Sequence, residues 1–125
     1  MARMSFLNPC PVAFTTWIMG GKWKARIVWA LIRNEKLRFS ELRRACPLIS
    51  DRILSKELKE LEDRGLLSRK EYPVVPPKTE YRLTKLGWTL QPVMAAMAEW
   101  GGAHRQTIAE AVGDATGKSR RALGR

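Results

Sequence analysis

The segment from Asp51 to Arg64 has the pattern of a helix that is apolar on one side and positively charged on the other. Leucines recur in it at i, i+4 and i+7, the spacing of a single helix face: Leu54, Leu58 and Leu61. At about 100° per residue, the opposite side carries polar and basic side chains: Arg52, Ser55, Lys56 and Lys59. Ser50 suits the N-cap, and Gly65 suits the position just after the helix. The pattern therefore predicts a helix anchored by leucines, with its cations in solvent.

A short helix is expected before this segment and a β-hairpin after it. Ser40 is expected to cap a brief helix from Glu41 to Ala45. Two candidate strands, Leu67 to Tyr72 and Thr79 to Leu83, flank a proline-rich tip at residues 73 to 78. Two helices joined by a turn and followed by a hairpin are typical of a winged helix-turn-helix. The expected fold class is mainly α with a small β-hairpin wing (α+β).

Two helices and a short extended piece are expected before these elements. Cys10-Pro11 is expected to start the first helix, and Gly20-Gly21 to end it. The second helix, from about Lys22 to Arg33, is apolar on almost every side. Such a helix belongs in the middle of a core. Leu37 to Phe39 is the short extended piece.

One long helix is expected after the hairpin. Thr84 is expected to cap it, and it should run from Lys85 to about Trp100 with a kink at Pro92. Gly101-Gly102 are expected to interrupt the helix, which resumes from His104 to Val112. The C-terminal part of the chain is therefore expected to be mostly helical.

The charge of the chain indicates a polyanionic partner. Its 23 Lys and Arg residues against 12 Asp and Glu give a net charge of +11. Nucleic acid is the usual partner of such an excess. A basic ribosomal protein or a protein that binds anionic membranes has the same kind of total. The placement of the cations along one helix is therefore more informative than their number.

Several classes of protein are not indicated. No apolar run approaches the length of about 20 residues that spans a bilayer, and no secretory signal precedes Pro9. We therefore expect a cytoplasmic protein. Two cysteines, Cys10 and Cys46, are too few for a disulfide scaffold, and with His104 they form no zinc motif. Because the chain has no catalytic or phosphate-loop signature, we expect no enzymatic activity, no cofactor and no metal.

The cationic side of the helix from Asp51 to Arg64 suits the major groove of double-stranded DNA, which is about 12 Å wide. Arg52 lies near the N-terminal end of this helix and is a candidate for a bidentate contact with guanine. Lys56 and Lys59 are candidates for phosphate contacts. Further DNA-binding candidates lie on this helix, just before it and on the hairpin: Ser40, Arg43, Arg44, Ser50, Ser55, Arg69, Lys70 and Lys78.

Structural alternatives to these assignments remain open. Glu60 lies four residues from Lys56, and Asp63 lies four residues from Lys59. These spacings allow ion pairs along a solvated helix face that binds nothing. Lysine and proline on the hairpin can also serve to blunt an exposed strand edge.

The sequence resembles the HxlR family of winged-helix regulators, a branch near the MarR regulators. The matching motifs span roughly residues 8 to 104: Cys10-Pro11, Gly20-Gly21-Lys22-Trp23, Arg38-Phe39-Ser40-Glu41-Leu42-Arg43, Ile49-Ser50, Leu54-Ser55, Leu58, Leu61-Glu62, Gly65-Leu66, Tyr72-Pro73-Val74-Val75-Pro76-Pro77-Lys78-Thr79-Glu80-Tyr81 and Leu83-Thr84-Lys85-Leu86-Gly87. The run from Tyr72 to Tyr81, together with Leu83 to Gly87, is the most specific part. The resemblance implies a transcriptional regulator, and by family habit a repressor.

The resemblance also implies a homodimer joined through the first and last helices. Apolar side chains on these helices are the candidates for the dimer interface: Val12, Phe14, Trp17, Ile18, Met94, Met97 and Trp100. Alternatively, they pack within one subunit. The expected organisation is an N-terminal arm (1–9), a winged helix-turn-helix domain (10–112) with dimerisation helices at 10–20 and 84–112, and a disordered basic tail (113–125). A twofold dimer is expected to bind a pseudo-palindromic operator.

A cysteine at the Cys-Pro position of the resembled family implies a redox or electrophile sensor, and Cys10 occupies that position. A helix N-terminus also stabilises a thiolate, which favours reactivity. Cys46 is the second candidate, as a partner of Cys10 across the dimer. Alternatively, Cys10 is a small cap residue with no chemistry. Two other functions stay open: regulation by a small molecule bound at the dimer interface, and a winged helix that contacts protein or RNA.

Overall fold

The computed structural model describes residues 9 to 116. Along them lie α1 (Pro11–Ile18), α2 (Lys24–Arg33), β1 (Leu37–Arg38), α3 (Phe39–Ala45), α4 (Asp51–Asp63), β2 (Leu67–Tyr72), β3 (Lys78–Leu83), α5 (Lys85–Trp88) and α6 (Gln91–Thr116). The chain divides between Gln91 and Pro92 into two compact units. No helix in this described part is both long and apolar enough to cross a membrane.

The three strands form one antiparallel sheet in the order β1-β3-β2. β2 and β3 make the expected hairpin, in which Leu67 pairs with Leu83 and Tyr72 with Lys78. β1 adds a short third strand through the pair Leu37 and Tyr81. The predicted fold class, helices with a small hairpin wing, is confirmed.

The core of the first unit is formed by the apolar faces of α2, α3 and α4. Seven side chains in these elements and the turn between α3 and α4 are completely buried: Ile27, Val28, Leu31, Leu42, Cys46, Leu54 and Leu61. α2 contributes three of them, which agrees with its predicted central place. α3 and α4 form the helix-turn-helix, and residues 46 to 50 form the turn between them.

The caps are partly as predicted. The Ser50 hydroxyl accepts the Ile53 N–H at 3.1 Å and starts α4, and the Thr84 hydroxyl accepts the Gly87 N–H at 3.0 Å and starts α5. The assignment of Ser40 as a cap is wrong because α3 already begins at Phe39. The Arg38 N–H instead donates to Glu41 Oε1 at 2.8 Å, so a carboxylate one turn along satisfies the helix start.

The expectation of one long helix from Lys85 is also wrong. The helix is interrupted after the short helix α5, and α6 begins at Gln91. Pro92 therefore lies in the first turn of α6, where its missing N–H costs no hydrogen bond. α6 continues through Gly101-Gly102 without interruption, and it ends at Thr116. The tail expected from residue 113 is thus helical as far as Thr116, and its remainder (117–125) lies outside the described residues. Residues 1–8 of the arm expected at 1–9 also lie outside them.

Replacing Gly87 by alanine is expected to lower the free energy of unfolding by about 1–3 kcal/mol. Gly87 is buried, and a Cβ there would overlap the Leu66 carbonyl oxygen and lie 3.1 Å from Leu83 Cδ2. The matched control is Gly101→Ala in α6, since a Cβ at Gly101 meets nothing within 4 Å. That change should be neutral or stabilising by up to about 1 kcal/mol. Urea titration measures both, and equal stability of the two variants would contradict this packing.

Candidate nucleic-acid interface

α4 has the two sides that its sequence predicts. Its leucines are buried: Leu54, Leu58 and Leu61. The polar and basic side chains on the other side are all exposed: Arg52, Ser55, Lys56 and Lys59. A helix fixed along one side by the core can place its other side in a DNA groove with little freedom to shift.

Arg52 lies in the first turn of α4 with its guanidinium uncommitted. Among the described residues, Arg52 makes no hydrogen bond or ion pair. Its neighbour Asp51 is held instead by Arg43 of α3, with 2.8 Å between Arg43 Nη1 and Asp51 Oδ1. Asp51, the residue next to Arg52 in sequence, therefore does not bind the guanidinium that we expect to contact a base.

The candidates on α3 and at the start of α4 differ in how available their side chains are to DNA. Arg43 is exposed but shared with Asp51. Arg44 is exposed, and within the part of the chain that the structure describes it has no ion-pair partner. Ser40 is half-buried inside the helix. Ser50 is exposed, and its hydroxyl is engaged as the cap of α4.

The two lysines of α4 form the ion pairs that their spacing allows. Lys56 Nζ lies 3.2 Å from Glu60 Oε2, and Lys59 Nζ lies 2.9 Å from Asp63 Oδ1. Hydrogen bonds to these carboxylates raise the pKa of both lysines above the ordinary value. Both side chains are therefore fully charged at neutral pH, and a phosphate must compete with a carboxylate for each of them.

Sequence reasoning missed a buried cation beneath this helix. Lys24 of α2 is 4% exposed, and its Nζ lies 2.5 Å from Glu57 Oε1 and 2.5 Å from Glu60 Oε1. The hydrogen bond from Lys24 is the main cause that lowers the pKa of Glu60. Glu57 has no cation three or four residues away in sequence, and its hydrogen-bond partner comes from another helix. A lysine inside an otherwise apolar helix was the available signal.

The wing presents its cations around one tyrosine. The Tyr72 hydroxyl donates to Glu80 Oε1 at 2.8 Å, and Lys78 Nζ lies 3.4 Å from Glu80 Oε2. The ammonium groups of Lys70 and Lys78 lie 5.0 and 4.5 Å from the centre of the Tyr72 ring. Arg69 is paired with Glu71 at 2.5 Å. The ammonium groups of both lysines thus lie against the Tyr72 ring, which we call the Tyr72 platform. Side chains that contact a DNA groove need to be held in place in this way.

The two cysteines have opposite surroundings. Cys10 is exposed at the N-cap of α1. Cys46 is buried in the turn that joins α3 to α4. Burial raises the pKa of the Cys46 thiol, although the nearby Arg26 acts in the opposite direction. Cys10 is therefore the accessible thiol of the pair. Within residues 9 to 116, no group of three His, Cys, Asp or Glu side chains is placed to hold a metal ion.

Thiol labelling of the native protein is expected to show one fast and one slow cysteine. A disulfide reagent such as DTNB should react quickly with Cys10, while Cys46 should react only as the protein unfolds. The measurement is the absorbance change with time, in buffer and in denaturant. Cys10→Ser should remove the fast phase, and Cys46→Ser should leave it. Two fast thiols in the native wild type would contradict the burial of Cys46.

The predicted dimer residues differ in their exposure: three of the seven are exposed, three are half-buried and one is buried. On α1, Val12 is exposed, while three half-buried side chains line a groove of about 340 Å³ that also includes Arg64: Phe14, Trp17 and Ile18. The Arg64 guanidinium lies 4.2 Å from the centre of the Trp17 ring and donates to the Ile18 carbonyl at 2.9 Å. On α6, Met94 is buried, whereas Met97 and Trp100 are 52% and 58% exposed.

A short helix, a turn, a second helix with an exposed cationic side and a following β-hairpin define a winged helix-turn-helix protein. Residues 18 to 109 match the family described as HxlR-like helix-turn-helix. The chain belongs to this family, as its motifs indicated, and it is a transcriptional regulator of the helix-turn-helix type. Double-stranded DNA is accordingly its class of partner.

Individual relatives and solved structures agree with the family. The uncharacterised HTH-type transcriptional regulator YybR of Bacillus subtilis is 46% identical over 99 residues, which cover 79% of this chain and 78% of the relative. The redox regulator HypR in its reduced form has a TM-score of 0.75 and 45% identity, over 79% of this chain and 97% of that structure. The reduced form of the regulator YodB from B. subtilis has a TM-score of 0.63 and 33% identity, over 75% and 92%.

Proposed function

We propose that the protein acts in the cytoplasm as a homodimeric repressor that binds a pseudo-palindromic operator through α4. The observation that carries the proposal is the exposed cationic side of α4, on which Arg52 has no partner among the described residues. α4 enters the major groove, where Arg52 reads a guanine. Lys56 and Lys59 contact phosphates beside the groove.

Basic side chains of α3, before α4 in the chain, and of the hairpin, after α4, extend this contact. Arg43 and Arg44 at the end of α3 meet the backbone before the groove. Lys70 and Lys78 on the Tyr72 platform reach the neighbouring minor groove or its phosphates. The ion pairs that now hold Arg43, Lys56 and Lys59 are exposed and are worth little in water, so a phosphate can replace the carboxylate.

A second copy of the chain is the proposed occupant of the apolar side of α6. Apolar side chains leave an exposed stripe along this helix, three or four residues apart except for the eight residues between Trp100 and Ile108: Val93, Met97, Trp100, Ile108 and Val112. A stripe of this length on a soluble regulator marks an association surface. Two copies related by a twofold axis then place two α4 helices on half-sites about one helical turn, or a multiple of it, apart.

The test is a comparison of specific and random duplexes. Duplexes are selected from the DNA upstream of the protein's own gene and from a random pool, and their affinities are measured at two salt concentrations. We expect the selected duplex to bind about 10³-fold or more tighter than random DNA, with two chains per duplex. Equal affinity for both duplexes would contradict the regulator function, and specific binding to RNA alone would favour an RNA-binding module. A reporter gene behind the operator then distinguishes repression from activation.

Redox response through Cys10 is a second function, favoured by its exposure at the start of α1 and by the likeness to the redox regulator HypR. Oxidation of Cys10 to a disulfide removes two electrons and two protons from a pair of thiols, and diamide accepts both. Operator affinity of the wild type should therefore change after diamide and recover after dithiothreitol. Cys10→Ser should not respond. Unchanged affinity of oxidised wild type would contradict the sensing role, and an unresponsive Cys46→Ser variant would identify the second thiol.

A further inference from the structure

A partly buried cluster of four charges connects the core helix α2 to the exposed side of α4. We name it the Lys24 cluster, and it consists of Lys24, Lys56, Glu57 and Glu60. Lys24 Nζ contacts one oxygen of each carboxylate, Glu57 Oε1 and Glu60 Oε1, both at 2.5 Å. Lys56 Nζ contacts the other oxygens, at 3.7 Å from Glu57 Oε2 and 3.2 Å from Glu60 Oε2. The two ammonium groups thus share the same two carboxylates through different oxygen atoms.

The members of the cluster differ in their access to solvent. Lys24 and Glu57 are buried, at 4% and 7% exposed, whereas the side chain of Lys56 is 55% exposed. Only Lys56 can therefore reach a phosphate outside the protein. Lys24 is fixed in the core, and no buried side-chain nitrogen or oxygen among the described residues lacks a hydrogen-bond partner.

The charge balance of the Lys24 cluster decides whether Lys56 can leave the two carboxylates for a phosphate. With all four groups ionised, the two lysines balance the two carboxylates. If Lys56 turns to a phosphate, Glu57 and Glu60 both keep Lys24 as their partner. Without Lys24, the same movement would leave two carboxylates, one of them buried, with no cation from the cluster. An uncompensated buried charge is strongly unfavourable, so Lys56 would stay with the carboxylates.

We propose that Lys24 is a positioning residue for DNA binding, which holds Glu57 and Glu60 so that Lys56 is released to a phosphate. The inference rests on the proposed DNA contact of α4 and adds a residue that never touches DNA. Lys24 also draws both carboxylates toward the core, and this reduces their repulsion of the phosphate backbone. α4 can then contain Glu57 and Glu60, whose ion pairs stabilise the helix, while Lys56 still contacts DNA.

The experiment measures how the affinity for the selected duplex depends on salt. Each phosphate contact adds about 0.9 to the slope of log K against log salt concentration. Lys24→Gln should lower the slope by about 0.9 per subunit, although Lys24 is buried. Adding Lys56→Gln to Lys24→Gln should then lower it no further, whereas Lys56→Gln alone should lower it by the same amount. Lys85→Gln removes an exposed lysine outside the cluster and should leave the slope unchanged.

Two further variants keep the test decisive if Lys24→Gln folds poorly. Glu60→Gln removes a half-exposed carboxylate that competes for Lys56, so affinity at low salt should rise. The triple variant Lys24→Gln, Glu57→Gln, Glu60→Gln has no buried charge in the cluster and should recover the wild-type slope. A wild-type slope in a folded Lys24→Gln variant, or unchanged affinity in Glu60→Gln, would overturn the role of Lys24. Wild-type protein that fails to prefer the selected duplex would contradict the proposed function itself.

Discussion

Leu54→Ala is expected to lower the free energy of unfolding by about 2–5 kcal/mol. Leu54 is completely buried in α4, the helix whose other side we propose to contact DNA. Alanine removes the apolar contacts of the side chain and leaves a cavity that the surrounding helices fill only in part. Because small domains are stable by about 5–15 kcal/mol, the loss is a large share of the total. Chemical denaturation followed by circular dichroism measures it.

The matched control for Leu54→Ala is Ser55→Ala, one residue along the same helix. Ser55 is exposed, so its replacement should change stability by no more than about 0.5 kcal/mol. Similar losses for the two variants would mean that α4 is not oriented as described. A large loss for Ser55→Ala alone would mean that the buried and exposed sides of α4 are exchanged.

Arg52→Ala is expected to reduce discrimination at one base pair of each half-site by about 1–3 kcal/mol, or about 5- to 150-fold. The physical reason is the bidentate fit of a guanidinium to guanine O6 and N7, which no other base offers. Affinity for random DNA should fall much less, since that binding depends on the number of phosphate contacts. Competition among duplexes that carry each of the four base pairs at the contacted position gives the measurement.

Arg52→Lys separates the geometry of Arg52 from its charge. Lysine keeps the positive charge but lacks the planar fork. We therefore expect affinity for random DNA close to that of the wild type, with discrimination reduced toward that of Arg52→Ala. Full discrimination by Arg52→Ala would contradict base recognition by this residue. A loss of equal size on all duplexes would assign Arg52 to the phosphate backbone.

The sequence was most informative where structure is determined locally. The limits of α4 were predicted to within a residue from its leucine spacing, from the Ser50 cap and from Gly65, whose φ is +78°. The hairpin followed from the two candidate strands that flank the proline-rich tip. The i, i+4 pairs of Lys56 and Lys59 also followed, because neighbours on one helix face are known from spacing alone.

The errors arose where the outcome depends on contacts distant in sequence or on competing local signals. The hydrogen-bond partner of Glu57 lies 33 residues away, so spacing within α4 contains no information about it. Pro92 permits either a kink or a new helix start, and the break after α5 decides for the start. The glycine pair costs about 1 kcal/mol per residue relative to alanine, which the rest of a 26-residue helix can offset. Which residues meet DNA or a second subunit stays a prediction.

Protection of the operator from dimethyl sulfate tests the central claim most directly. The reagent methylates guanine N7 in the major groove, so it reports whether α4 lies there. We expect two clusters of protected guanines whose centres lie about 10–10.5 base pairs, or a multiple of that, apart. Arg52→Ala should restore methylation of one guanine in each cluster. Protection confined to adenine N3 in the minor groove, or a pattern that Arg52→Ala leaves unchanged, would contradict recognition by α4.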